Sequence, residues 1–89
     1  MRKEAILDTA RNLLVERGAT YGDVKTNFAR ISAVATGMLG RYVAPYEVAV
    51  VLAAVKLGRI SEDPSYLDSW PDAVNYIAIA GEMATEPKE

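Results

Sequence analysis

The sequence predicts an all-α protein, a compact four-helix bundle that associates with copies of itself. Three observations carry this. Apolar residues recur at helical spacing in four separate segments. No segment alternates with period two, and no Asn-Gly or Asp-Gly hairpin turn occurs. The chain has 89 residues, 51% hydrophobic and 25% charged, which suits one small globular domain and is too short for a dinucleotide fold, a barrel or a kinase. A bundle is the packing solution for four amphipathic helices. So small a chain with so many apolar residues also predicts that some of them are buried between subunits.

The first helix is expected over residues 3–17. Ile6, Ala10, Leu13 and Leu14 share one side, and Asp8, Arg11, Asn12 and Glu16 lie opposite. Gly18 serves as its stop. The second is expected over residues 23–39, capped by Asp23, with Val24, Phe28, Ile31, Ala35 and Met38 as its apolar stripe. Gly37 and Gly40 weaken its end. The third is expected over residues 45–60. Pro45 fits the first turn and Glu47 suits the helix dipole. Apolar residues nearly surround its axis, so it is either the central helix or also meets another subunit. A polar link with Pro64 follows. Two capping-box patterns, Ser65 with Asp68 and Ser69 with Asp72, then lead into a fourth helix over residues 70–84. Ala73, Ile77, Ala80 and Ala84 are expected to face inward. Residues 85–89 are expected to fray. Residues 1–89 thus read as a single domain without repeats or low-complexity tracts.

Composition removes whole classes of chemistry. There is no Cys, which excludes disulfides, zinc thiolates and thiol nucleophiles. There is no His, the commonest general base and metal ligand. Net charge is −2 and no run of Lys and Arg exceeds two residues, so a sequence-independent nucleic-acid surface is not expected. The N-terminus leads into an amphipathic pattern rather than a signal peptide. The longest apolar run, residues 48–55, is far short of a membrane span. The expectation is a cytoplasmic protein that does not engage membranes.

Three clusters are candidates for binding. In the first, Tyr21, Gly22 and Asp23 precede Asn27 and Arg30, which follow on successive turns. A helix start with a glycine beside it offers free N–H groups to an anion. The same residues also read as a tight turn, a cap and a solvated arginine. In the second, Lys56 and Arg59 share a face after eight apolar residues. They are suited to gripping a phosphate, or to neutralising the helix end and nearby carboxylates. In the third, Asp72, Asn75 and Tyr76 share one face of the fourth helix, with Asp68 and Trp70 just before them. Trp70 can stack on a base and Asn75 can read its edge. Equally, Asp68 and Asp72 can cap the helix and pair with Lys56 and Arg59, with Trp70 in the core. Together the clusters suggest a pocket for a nucleotide-sized ligand.

These motifs, Tyr21-Gly22-Asp23, Asn27-Phe28-Ala29-Arg30-Ile31, Lys56 with Arg59, and Leu67-Asp68-Ser69-Trp70-Pro71-Asp72 followed by Asn75-Tyr76, resemble a family of small phage-encoded domains of unknown function. The resemblance spans about residues 5–84. It implies a relation to the nucleotide-modification-associated domains of phages. More distantly, the chain is similar to the helical, oligomeric NTP pyrophosphohydrolases of the MazG type. Those enzymes hold Mg²⁺ with an EExxE motif and an ExxD motif. Here Asp72 matches the Asp of the second, Ser69 replaces its Glu, and no EExxE exists.

The leading expectation is a protein of the infected host cell's cytoplasm that binds a nucleotide or a nucleotide-derived signal, with little or no catalysis, no catalytic residue, no metal and no cofactor. Such binding serves sequestration of a host defence signal or nucleotide metabolism. Lys56, Arg59 and Arg30 meet phosphate; Tyr21, Trp70 or Tyr76 stack on the base; Asn27 and Asn75 bond base or sugar. One alternative is a variant Mg²⁺-dependent pyrophosphohydrolase using Asp72, Asp68 and Glu47. The other is an inhibitor that docks on a host enzyme through an exposed apolar stripe.

Overall fold

The computed structural model describes residues 1–21 and 23–86, the side chains of residues 20 and 21 excepted. Four helices follow one another: α1 (Lys3–Tyr21), α2 (Val24–Leu39), α3 (Pro45–Glu62) and α4 (Ser69–Thr85). No strand occurs among the described residues, so the all-α expectation holds.

α1 runs past its expected stop. Gly18 remains helical, and among the described residues Gly40 alone has a positive φ, 72°. A glycine ends a helix only where the chain actually turns left-handed there. Gly40 does so: its N–H donates to the Thr36 carbonyl at 3.0 Å and closes α2.

Asp23 caps α2 as expected. Its carboxylate accepts from the backbone N–H of Lys25 (3.4 Å) and Thr26 (3.3 Å) and from the Thr26 hydroxyl at 2.8 Å. The bond from the Thr26 side chain, aided by the Thr26 N–H, holds the Asp23 carboxyl below the ordinary aspartate range. A depressed folded-state pKa means a contribution present above the unfolded value and lost as pH falls through the folded one. Acid titration of Asp23→Asn is therefore expected to show a smaller loss of stability in the acid range than the parent chain. Equal acid losses would mean that the cap carries no charge-dependent stabilisation.

The link from α2 to α3 is pinned to α2. The Val43 N–H donates to Thr36 Oγ1 at 2.9 Å, and the buried Ser32 hydroxyl donates to the Val43 carbonyl. α3 starts at Pro45, whose missing N–H costs nothing there. Glu47 Oε1 accepts the Ala44 N–H at 3.0 Å. In the second link Asp63 Oδ1 accepts the Ser65 N–H (3.1 Å) and hydroxyl (2.6 Å). That engages Ser65, so the expected box with Asp68 does not form; Asp68 makes no side-chain cap bond. α4 begins at Ser69, one residue early, and Asp72 turns inward instead of capping.

α3 and α4 pack along one another as a central hairpin. α1 leans on α4, α2 leans on α3, and α1 and α2 scarcely meet. Ala49 and Ala53 of α3 and Ala73 and Ala80 of α4 are buried, and small residues let helix axes approach closely. Phe28, Val43 and Val48 complete the core with Ala49 and Ala80; Tyr76, Ile79 and Met83 pack partly against it. Two inward assignments on α4 are corrected. Ile77 and Ala84 face solvent, because α4 rolls Tyr76, Ile79 and Met83 toward the core instead. On α2, Met38 is 80% exposed, so the buried stripe stops short of it.

Candidate functional site

The gap between α1 and α2 leaves a cleft of about 480 Å³ over the α3–α4 hairpin. Every helix lines it through its inner face. α1 supplies Leu14 and Arg17; α2 supplies Val24, Asn27, Phe28 and Ile31 at helical spacing. α3 contributes Leu52 and Lys56, one turn apart. α4 contributes Asp72, Asn75, Tyr76 and Ile79. The volume falls within the range of small-molecule sites, and the walls are mainly apolar with a few polar groups grouped together, as such sites are.

The polar end is organised by Asp72, which is only 7% exposed. Its Oδ2 lies 3.0 Å from Lys56 Nζ, and its Oδ1 lies 3.3 Å from an Arg17 guanidinium nitrogen. The Arg17 contact is an ion pair without hydrogen-bond alignment, so Oδ1 is buried with no hydrogen-bond donor. The Lys56 side chain is 22% exposed and that of Arg17 45%. Two cations against one carboxylate leave this end of the cleft with one net positive charge.

The sequence candidates separate into two groups. Asn27, Lys56, Asp72, Asn75 and Tyr76 come together at the cleft. Of these, Asn75 is already committed: its Nδ2 donates to the Ala10 carbonyl at 2.9 Å, tying α4 to α1. Asp23 sits at the α2 cap, and Arg30 is exposed on α2 away from the cleft lining. Trp70 is neither core nor cleft: it is partly exposed and its Nε1 donates to the Pro64 carbonyl at 2.9 Å, closing the second link. Asp68 is exposed and engages neither Lys56 nor Arg59. Arg59 lies at a separate shallow hollow with Glu62, Asp63, Tyr66 and Ser69, because three residues of helix carry it beyond Lys56 and around the axis. Gly22 and the Tyr21 side chain lie outside the described residues.

Arg17 was absent from the sequence candidates. Ala10, Leu14 and Arg17 follow at i, i+4 and i+7, which places Arg17 on the inner stripe of α1. Expecting the helix to end at Gly18 hid this, since a final-turn arginine reads as a dipole partner.

Among the described residues no three acidic side chains gather where a metal ion could be held. Asp72 faces two cations, and Glu47 is engaged at the far start of α3 by the Ala44 N–H and, at 3.8 Å, by Arg41. No helix among the described residues is long and apolar enough to cross a membrane.

A family model described as "Domain of unknown function (DUF6378)" matches residues 5–84. The chain is 29% identical over 87 residues to the Gene 55 protein of Mycobacterium phage D29, a match covering 97% of this chain. The chain spans 58% of that relative's length. No solved structure matches.

Proposed function

We propose that this chain, which belongs to the family of domains of unknown function DUF6378, binds a nucleotide in the cleft between its four helices and performs little or no chemistry on it. The observation that supports this reading is the surplus cation: Arg17 and Lys56 flank Asp72 at one end of an otherwise apolar cleft. An anionic group entering there meets two donors, one of them a guanidinium with bidentate geometry for phosphate. The apolar walls, with Phe28 and Tyr76 among them, suit a base. The matched relative is a phage protein, which agrees with a role in a phage-infected cell, either holding a nucleotide signal away from host defence or serving nucleotide metabolism.

Isothermal titration with AMP, GMP and orthophosphate tests the reading. Arg17 is nearly half exposed, so Arg17→Gln keeps the fold and is expected to weaken nucleotide binding about tenfold. Arg59→Ala, outside the cleft, is expected to leave affinity unchanged. Binding that responds to Arg59 and not to Arg17 would move the site out of the cleft.

A second reading, self-association, is favoured by the outer side of α3. Tyr46, Val50, Val51, Val55 and Leu57 are exposed on this outer half, where Glu47 is the charge at its start. A mainly apolar face is complementary to itself across a two-fold axis, so a second copy is the proposed occupant. Sedimentation is expected to show mass rising with concentration, and Val50→Glu to return the chain to the monomer. A parent chain that stays monomeric at every concentration refutes association through α3.

A further inference from the structure

We infer that Asp72 is a specificity-determining residue: its Oδ1 accepts a hydrogen bond from an O–H or N–H of the nucleoside part of the ligand. This rests on the nucleotide reading of the cleft and goes beyond it, because that reading uses the two cations and leaves the carboxylate as their counter-ion. The geometry points to a second role. Oδ2 is engaged by Lys56 at 3.0 Å, whereas Oδ1, on a residue that lines the cleft, is buried and lacks a hydrogen-bond donor. Buried carboxylate oxygens nearly always have one, since an unmatched acceptor loses its hydration without replacement. Arg17 answers the charge of Oδ1 but not its directional need.

No neighbouring side chain donates to Oδ1 in this arrangement: the Asn75 amide, one turn along α4, gives an N–H to Ala10 instead. A ligand seated in the cleft can bring the missing donor. That donor must stand beside the ligand's anionic group, because the cations that would receive that group touch the same carboxylate. A nucleotide offers two such donors, a ribose hydroxyl and a base amino or imino group. Both present the same chemistry to Oδ1, and analogue pairs distinguish them.

The experiment is isothermal titration of the full chain and of Asp72→Asn with matched pairs: AMP against 2′-deoxy-AMP and 3′-deoxy-AMP for the sugar, GMP against IMP for the base amino group. The expected result is that the parent chain prefers the donor-bearing member of at least one pair about tenfold or more, since a bond to a charged acceptor is at stake. Asp72→Asn, whose oxygen is a neutral acceptor, is expected to reduce that preference to about two- to threefold. If the parent chain binds nucleotides and distinguishes neither pair, the assignment of Asp72 is overturned while the cleft reading survives. A preference unchanged in Asp72→Asn overturns it equally. If no nucleotide binds, both readings fall together. The parent-chain comparison decides the matter even if the variant does not fold.

Discussion

Asp72→Ala is expected to lower the stability of the folded chain by about 3 kcal/mol. The side chain is nine-tenths buried and is the single anion between Lys56 and Arg17. Removing it leaves Lys56, mostly buried, facing Arg17 with nothing between them. Deleting one partner of a buried pair costs more than the pair was worth, because the remaining charge stays desolvated. Arg17 can turn toward solvent and Lys56 only partly, which keeps the figure at the lower end of the range for buried pairs. A chain of this size has about 4–13 kcal/mol in total, so the loss is a large fraction. Lys56→Met is expected to cost less, about 1–2 kcal/mol, since Arg17 still balances Asp72 and the methionine fills the lysine stem's place. Urea denaturation of the two variants checks the order. If Lys56→Met is the more damaging, the carboxylate is not the organising group and the cleft's polar end is built differently.

That ordering also shows what the sequence could and could not convey. Helical periodicity, the cap at Asp23 and the first-turn proline at Pro45 are local, so four helices were legible from residues alone. The pairing of Lys56 with Asp72 was legible too, as one of the options open to those residues. What stayed hidden depended on the azimuth of each helix. Three residues of helix set Arg59 about 60° around the axis and about 4.5 Å along it from Lys56, enough to send them to different hollows. The roll of α4 exchanged Ile77 for Ile79, and no pattern in α4 alone distinguishes those choices, because the two isoleucines flank the buried Ala73 and Ala80 on opposite sides. The cleft itself is a tertiary fact. It exists because α1 and α2 lean on different members of the central hairpin, and the residues lining it look in sequence like ordinary core. Trp70 shows the opposite failure: a residue suited to stacking is used to fasten a loop.

Asn75→Asp is expected to cost about 2–3 kcal/mol at neutral pH, more than Asn75→Ala, although aspartate is the closer match in shape. Asn75 is buried and its amide is a donor to the Ala10 carbonyl, so the position requires an N–H rather than merely a polar group. Alanine forfeits the bond, about 1–2 kcal/mol with the small void it leaves. A carboxylate does worse: it sets a negative oxygen against a carbonyl oxygen, in a buried place, one turn from Asp72 on the same face. Arg17 and Lys56 are nearby but already shared with Asp72. Burial, the facing Ala10 carbonyl and the Asp72 carboxylate raise the new carboxyl's folded-state pKa above its unfolded value, so the penalty is present at neutral pH and fades as pH falls toward the unfolded value. Once protonated, the acid has an O–H to offer Ala10. The expected signature is a crossing: in urea denaturation Asn75→Asp is the weaker variant at neutral pH and equals or exceeds Asn75→Ala near about pH 4. Variants that keep the same order at both pH values would show that the side chain at this position acts by volume, and that α1 is held on α4 by apolar contact alone.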